Sequence, residues 1–217
     1  WSRVLAFLLH DARIMAAEFV RPYVKSNKND SLDAEAICEA VGRPNMRFVA
    51  AKTIDQQAVL SLHRAREAMV SSRTAEINRV RGLLAEFGIV VAQGLRSFLR
   101  DIPAAVDAEA DRLPSSFTAL IQTLMEHVKN LDRLAQQIEC EIKRWHLAHE
   151  DSKRLEQAPG IGPITATALI ATIGDSANFS SGRQLAAWLG LVPRQHSSGG
   201  KPRMLGISKR GDCYVRK

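Results

Sequence analysis

Cysteine is scarce and poorly placed for chemistry. The 217 residues contain three, Cys38, Cys140 and Cys213. An odd number at wide spacing, with no C-x-x-C pair, supports neither a zinc site nor a disulfide framework, and a reduced, cytoplasmic setting is expected. Long apolar runs are also missing. None approaches the ~20 residues that a bilayer-crossing helix needs, so no membrane partner is expected. No charged segment, apolar stretch and cleavage site follow Trp1, so no secretory signal is read. What is present is a soluble globular composition, 46% hydrophobic and 24% charged, in a chain long enough to bury a core as one large domain or two small ones. The opening WSRVLAFLLH begins as if inside an amphipathic helix and the closing YVRK carries no cap, so a fragment truncated at both ends is expected.

Charge is plentiful and unevenly spread. The net charge is +7, and the segment from Ser181 to Lys217 holds eight basic residues (Arg183, Arg194, Lys201, Arg203, Lys209, Arg210, Arg216, Lys217) against one acid, Asp212. That segment accounts for the whole excess. Such a region suits a polyanion, most often nucleic acid, and charge alone leaves a solvated basic surface equally open.

Along the chain, Arg13–Ala17 (RIMAA) and Arg47–Ala51 (RFVAA) read as short strands with a helix at Ser31–Val41 between them, an α/β pattern of a sheet flanked by helices. A long helix is expected over Thr53–Phe87. Its apolar positions are Val59, Leu62, Met69, Ile77, Val80 and Leu84, and Gly88 is its C-terminal stop. Its polar face carries Arg64, Arg66, Arg73, Arg79 and Arg81; a solvated face is the plainer reading and a nucleic-acid backbone contact the sharper one. Gln93–Leu113 reads as irregular, broken by Pro103 and polar with acids. After Pro114, Ser115 or Ser116 is expected to cap a further helix. Its seam, Phe117, Ile121, Leu124, Val128, Leu131, Ala135, Ile138, Ile142 and Trp145, keeps four–three spacing as in a coiled coil or two-helix hairpin. The partner is either the earlier long helix or another subunit. From about Leu155 the chain turns to Gly, Ala, Ser and Thr, with short helices. His146 and His149, lacking a third ligand, read as surface residues.

Three stretches carry candidate chemistry. In KSNKNDSLDAEAI, Asp30 and Asp33 lie three apart at a helix start, on one face. Paired carboxylates there suit Mg²⁺, a hard cation that keeps several waters; interaction of acids with the helix amides and dipole explains them at least as well. In LEQAPGIGPITATALIATIGD, a helix ends, a tight turn with Gly160 and Gly162 follows, and an Ala-rich helix begins. This is the helix–hairpin–helix pattern of sequence-independent DNA binders, whose backbone amides approach a phosphate; an ordinary helical corner is the alternative. In PRQHSSGGKPRMLGISKRG, Ser197 and Ser198 precede two glycines among cations. A serine nucleophile needs exposure and an activating partner, and nearby Arg194 and Lys201 suit a phosphate in transfer; a plain linker has the same composition.

Together, VKSNKNDSLDAEAICEAV, MRFVAAKTIDQQAVLSLHRAR, INRVRGLLAEFGI, PGIGPITATALIATIGD and GRQLAAWLGLVPRQHSSGGKPRMLGISKRGD resemble, in order and over nearly the whole chain, the DEDD-type insertion-sequence transposases of the IS110 family, close to its IS1111 branch. The resemblance implies an α/β plus α fold: a partial RuvC-like (RNase H-like) domain with the long helix at 1–92, an irregular segment and coiled-coil linker at 93–152, and a helical, serine-containing transposase domain with the helix–hairpin–helix at 153–217. It implies three aspartates and a glutamate around Mg²⁺, of which Asp30 and Asp33 match the last two, the others lying upstream in the family. Ser198 matches the essential serine, with Ser197 as second choice. Gly160, Gly162, Arg194, Lys201, Arg203, Lys209 and Arg210 would contact nucleic acid. The family's partners would be DNA, a structured noncoding RNA that guides the reaction by pairing, and further copies of the chain, in a bacterial cytoplasm. With only two of four carboxylates matched, this chain is expected to bind DNA or RNA without transposing, as a recombinase in origin or an inactive nucleic-acid-binding remnant.

Overall fold

The computed structural model describes residues 2–25, 29–196, 201 and 203–216. The chain divides into two units, Trp1–Ile54 and Asp55–Lys217. Helix dominates both, and the described strands form two antiparallel two-stranded ribbons.

The first unit holds α1 (Ser2–Phe7), β1 (Ile14–Met15), α2 (Ala17–Val20), α3 (Asp30–Val41) and β2 (Phe48–Val49). β1 and β2 pair antiparallel, Ile14 opposite Val49 and Met15 opposite Phe48. The two expected strands therefore exist and meet, but as a two-residue ribbon rather than a sheet layered with helices. With two residues on each side, the ribbon buries no face that a helix would have to cover. α3 begins where the Asn29 side chain accepts a hydrogen bond from the Ser31 amide at 2.9 Å. It packs through small residues, with Ala36 and Ala40 fully buried. An Arg3–Lys52 carbonyl bond of 2.9 Å ties the two ends of the unit.

The second unit is built on two long helices, α4 (Ile54–Glu86) and α6 (Ser115–Ala148). Their cross-contacts run in opposite senses. Asp55 accepts from the Trp145 indole at 3.0 Å, Arg66 pairs with Glu139, Arg73 with Asp132, and Phe87 stacks near Phe117 at 4.2 Å. The pair is antiparallel along its length, so the seam of α6 finds its partner within the chain. The buried positions are Ile121, Met125, Val128, Leu131, Ala135, Ile142 and His146, and of the expected seam Phe117, Leu124, Ile138 and Trp145 are half-buried. The α6 N-terminus is set by Pro114, whose carbonyl accepts from Phe117 (2.9 Å) and Thr118 (3.1 Å), instead of by a serine side chain.

The stretch read as irregular is α5 (Leu95–Ala108), with Pro103 inside it. Phe98, Ile102 and Val106, one turn apart, are buried in a cluster with Ile77, Val80 and Leu84 of α4 and Ile121, Met125 and Val128 of α6. Packing of that stripe outweighs the one ladder bond proline removes. The expected stop at Gly88 holds, with φ at +80°, a conformation open to glycine at little cost.

Among the described residues four short α-helices follow α6: α7 (Glu150–Glu156), α8 (Pro163–Ile173), α9 (Gly182–Trp188) and α10 (Cys213–Arg216). His146 is a correction to the surface reading. It is 3% exposed, with Nδ1 2.8 Å from Ser152 Oγ and Nε2 2.9 Å from Glu156, and it joins α6 to α7. His149 is half-buried, donates from Nδ1 to the Trp145 carbonyl at 2.7 Å and stacks on that indole.

Candidate nucleic-acid interface

α7 and α8 are joined by a tight turn through Gly160 and Gly162. The Ile161 amide bonds back to the Ala158 carbonyl at 3.1 Å, and Gly160 takes φ +87°. Both glycines are exposed. Pro163 occupies the first turn of α8, where its missing N–H costs nothing. Ala166, Ala168 and Ala171 are buried at small side-chain cost, which lets α8 lie close to its neighbours.

The basic segment is an antiparallel hairpin, β3 (Pro193–Gln195) with β4 (Met204–Ile207), where the sequence reading saw only a loop. Pro193 faces Ile207, Gln195 faces Met204, and the His196 amide donates to the Arg203 carbonyl at 2.9 Å. Arg194, Lys201, Arg203, Lys209 and Arg210 are all exposed. Ser197 and Ser198 lie outside the described residues. The available signal for the hairpin was a turn-rich SSGG between two extended stretches.

After β4 the backbone presses against the end of α9. The Ser208 amide donates to the Val192 carbonyl (2.8 Å) and Lys209 to the Gly190 carbonyl (3.0 Å). A Cβ on Gly211 would lie 2.3 Å from the Trp188 carbonyl oxygen, so only glycine allows this approach. α10 follows, capped by Asp212, whose Oδ1 accepts from the Tyr214 amide at 2.7 Å. Arg216 clamps it by donating to the Leu189 (3.3 Å) and Gly211 (3.0 Å) carbonyls.

The sequence reading missed His63. This residue of α4 is 1% exposed and sits 2.9 Å from the Tyr214 hydroxyl through Nδ1 and 3.0 Å from Thr167 Oγ1 through Nε2. The single proton of Thr167 points at the Pro163 (2.8 Å) and Ile164 (3.0 Å) carbonyls. Thr167 therefore accepts from Nε2–H, and Nδ1 accepts from Tyr214. Burial, with Arg66 adding to it, pushes the His63 pKa from 6.5 down to about 4, so the ring is neutral at physiological pH. No periodicity marks such a residue; it falls on the apolar stripe one turn after Val59.

In the first unit, Asp30 is exposed and Asp33 half-buried on the first turn of α3. Asn29 takes the capping role, which leaves both carboxylates available as hard oxygen donors. The two carboxylates share one turn of α3; among the described residues no group of three or more His, Cys, Asp or Glu could hold a metal. Of the arginine face on α4, Arg66 and Arg73 are paired with α6, Arg79 with Glu76, and Arg81 donates to the Val91 carbonyl at 3.0 Å; Arg64 is exposed.

A family model described as the IS116/IS110/IS902 family of transposases matches residues 152–217. A second, the DEDD transposase model of IS110, matches residues 8–89. Residues 8–89 and 152–217 are IS110/IS116-family transposase domains. It is 45% identical over 217 residues to a Pseudomonas aeruginosa protein named "Probable family 20 transposase", covering 100% of this chain and 64% of that one. It is 43% identical over 216 residues to the transposase for insertion sequence element IS1111A of Coxiella burnetii, covering 100% of this chain and 59% of that one. It is 44% identical over 217 residues to the transposase for IS1328 of Yersinia enterocolitica, again 100% of this chain and 64% of that one. The chain thus spans about 60% of the length of these relatives. Asp30 and Asp33 fall in the DEDD match, and the glycine turn, the basic hairpin and both serines fall in the other. No described helix is long and apolar enough to cross a membrane.

Proposed function

We propose that the chain is part of an insertion-sequence DNA recombinase whose C-terminal segment grips DNA phosphates. One observation carries this: within the family-matched region, five cations stand exposed on and beside one hairpin, in the segment that holds the chain's whole charge excess. Phosphate contacts of this kind supply sequence-independent affinity. In this reading residues 1–92, with α4, are the RuvC-like part, α6 is the coiled-coil linker, and α7–turn–α8 is a helix–hairpin–helix that offers the amides around Gly160 and Gly162 to a phosphate.

Ser198, or Ser197 in its place, is the proposed nucleophile. Its Oγ bonds to a phosphodiester phosphorus and gives up its proton, while the bond to one deoxyribose oxygen breaks and that oxygen leaves protonated. The product is a phosphoserine link to one DNA strand, with Arg194 and Lys201 offsetting the phosphate charge. Asp30 and Asp33 would hold Mg²⁺, which supplies Lewis-acid stabilisation of phosphate oxygens when bound. Because two carboxylates alone hold Mg²⁺ weakly, this chain by itself is proposed to bind nucleic acid without cutting it. Self-association and a structured noncoding RNA that carries the sequence information by pairing complete the proposal, in a cytoplasmic setting.

The test is a titration of a labelled DNA duplex with the purified chain across salt concentrations. Binding should weaken linearly in log–log form, and Arg194→Ala with Arg203→Ala should flatten the slope by about 2. A slope unchanged by the double substitution, or no binding at low salt, would refute the assignment.

A further inference from the structure

α10 is a single turn of four residues, too short to persist without tertiary support. Asp212 and Arg216 tie it to its own neighbourhood, the end of α9 and the residues leading from β4. Tyr214 alone among these reaches α4, 151 residues away in sequence, through His63, with the rings edge-on at 5.3 Å. His63 in turn bonds Thr167 of α8. Three elements distant in sequence thus meet through two hydrogen bonds and one buried ring. Ser208 and Lys209 are bonded backbone-to-backbone to Val192 and Gly190, and Gly211 lies against the Trp188 carbonyl at the end of α9. Whatever holds α10 therefore also holds the base of the basic hairpin.

We propose that the Thr167–His63–Tyr214 chain is a latch that fixes the cationic hairpin on the helical body, which makes His63 and Tyr214 positioning residues for the DNA-gripping segment. The functional half rests on the DNA reading above; the latch itself does not. Removing the Tyr214 hydroxyl keeps the ring and its packing but deletes its hydrogen bond to His63 of α4. His63→Leu removes both bonds. His63→Asn restores an acceptor near the Nδ1 position and should recover the Tyr214 bond.

The experiment is hydrogen–deuterium exchange on the whole chain, without DNA, for wild type, Tyr214→Phe, His63→Leu and His63→Asn. In Tyr214→Phe, amides of residues 203–216 should exchange about tenfold faster, the loss expected for one buried hydrogen bond. Amides of α5 and of the α6 half that packs on it should stay unchanged. His63→Leu should match it and His63→Asn should revert most of the gain. Unchanged exchange at 203–216 in Tyr214→Phe, equal acceleration throughout the second unit, or no difference between the two His63 variants would overturn the latch. DNA affinity is then read on the same proteins. A wild-type chain that binds no DNA sinks the DNA reading and leaves the exchange result to decide the latch. A Tyr214→Phe chain with faster exchange and undiminished DNA affinity shows a latch without a positioning role, which overturns the proposal as stated.

Discussion

Acidification from pH 7 to 4.5 should remove about 2 kcal/mol of stability through His63 alone, and the sign follows from its environment. In the fold its pKa lies at about 4, lowered from 6.5 first by burial and then by the neighbouring Arg66. In the unfolded chain it returns to about 6.5. Between those values the unfolded state binds a proton that the folded state refuses, so stability is fully present above pH 6.5 and is lost as pH falls toward 4. Each pKa unit is worth about 1.4 kcal/mol, which bounds the full effect near 3 kcal/mol. Protonation also turns Nδ1 into a donor facing the Tyr214 hydroxyl, and the bond that reaches α10 must then reverse its direction. The assay is urea unfolding followed by helical circular dichroism at half-unit pH steps, for wild type and for His63→Gln, which cannot titrate. Carboxylates and the other histidines contribute equally to both, so the difference isolates His63. The stability advantage of wild type over His63→Gln should shrink by about 2 kcal/mol from pH 7 to 4.5. Parallel curves would refute the reasoning, because they would mean that the buried ring accepts its proton as readily as an exposed one.

Phe98→Ala should cost about 3–5 kcal/mol, read as a lower urea midpoint, because the ring is 0% exposed at the centre of the α4–α5–α6 cluster. Gly211→Ala should destabilise by at least about 1–3 kcal/mol, seen as proteolytic release of the C-terminal segment, since its new methyl would lie 2.3–2.5 Å from α9 backbone atoms that cannot swing aside. A double-mutant cycle of Arg66→Ala and Glu139→Ala should give a coupling of about 0.5–1 kcal/mol that weakens in high salt, because the paired side chains are 26% and 30% exposed.

Periodic features were legible in the sequence. The long helix expected over 53–87 is α4 at Ile54–Glu86, the helix at 31–41 is α3 at Asp30–Val41, and the stop at Gly88 holds. The seam of α6 was visible as a helix but not in its partner, because heptad spacing does not say which helix covers it. α5 was missed since Pro103 and its acids outweighed the four-residue spacing of Phe98, Ile102 and Val106. The two-stranded ribbons were legible only as fragments: a pair of two-residue strands carries too few residues for alternation to show. Of the candidate site, the glycine turn and the cations of the hairpin could be read locally. The His63–Thr167–Tyr214 chain could not, because its members are 104 and 151 residues apart and none belongs to a motif.

The arginines of α4 show why sequence charge has to be read together with geometry. On a helical wheel Arg64, Arg66, Arg73, Arg79 and Arg81 form a basic face fit for a nucleic-acid backbone. In the fold, Arg66 and Arg73 are half-buried against Glu139 and Asp132, and Arg81 satisfies a carbonyl. Lys143, ahead of Arg66, holds the Glu139 carboxyl below its usual range, so that pair stays ionised well into acid. A phosphate reaching Arg66 or Arg73 would have to displace a carboxylate already in place and leave that carboxylate partly buried without its cation. Such a displacement costs more than a contact with an exposed cation, where only water leaves. The hairpin cations carry no such cost. A polyanion should therefore meet the second unit at the residues after Ser181 and leave the α4–α6 pairs intact, which is also where the sequence puts its uncompensated charge.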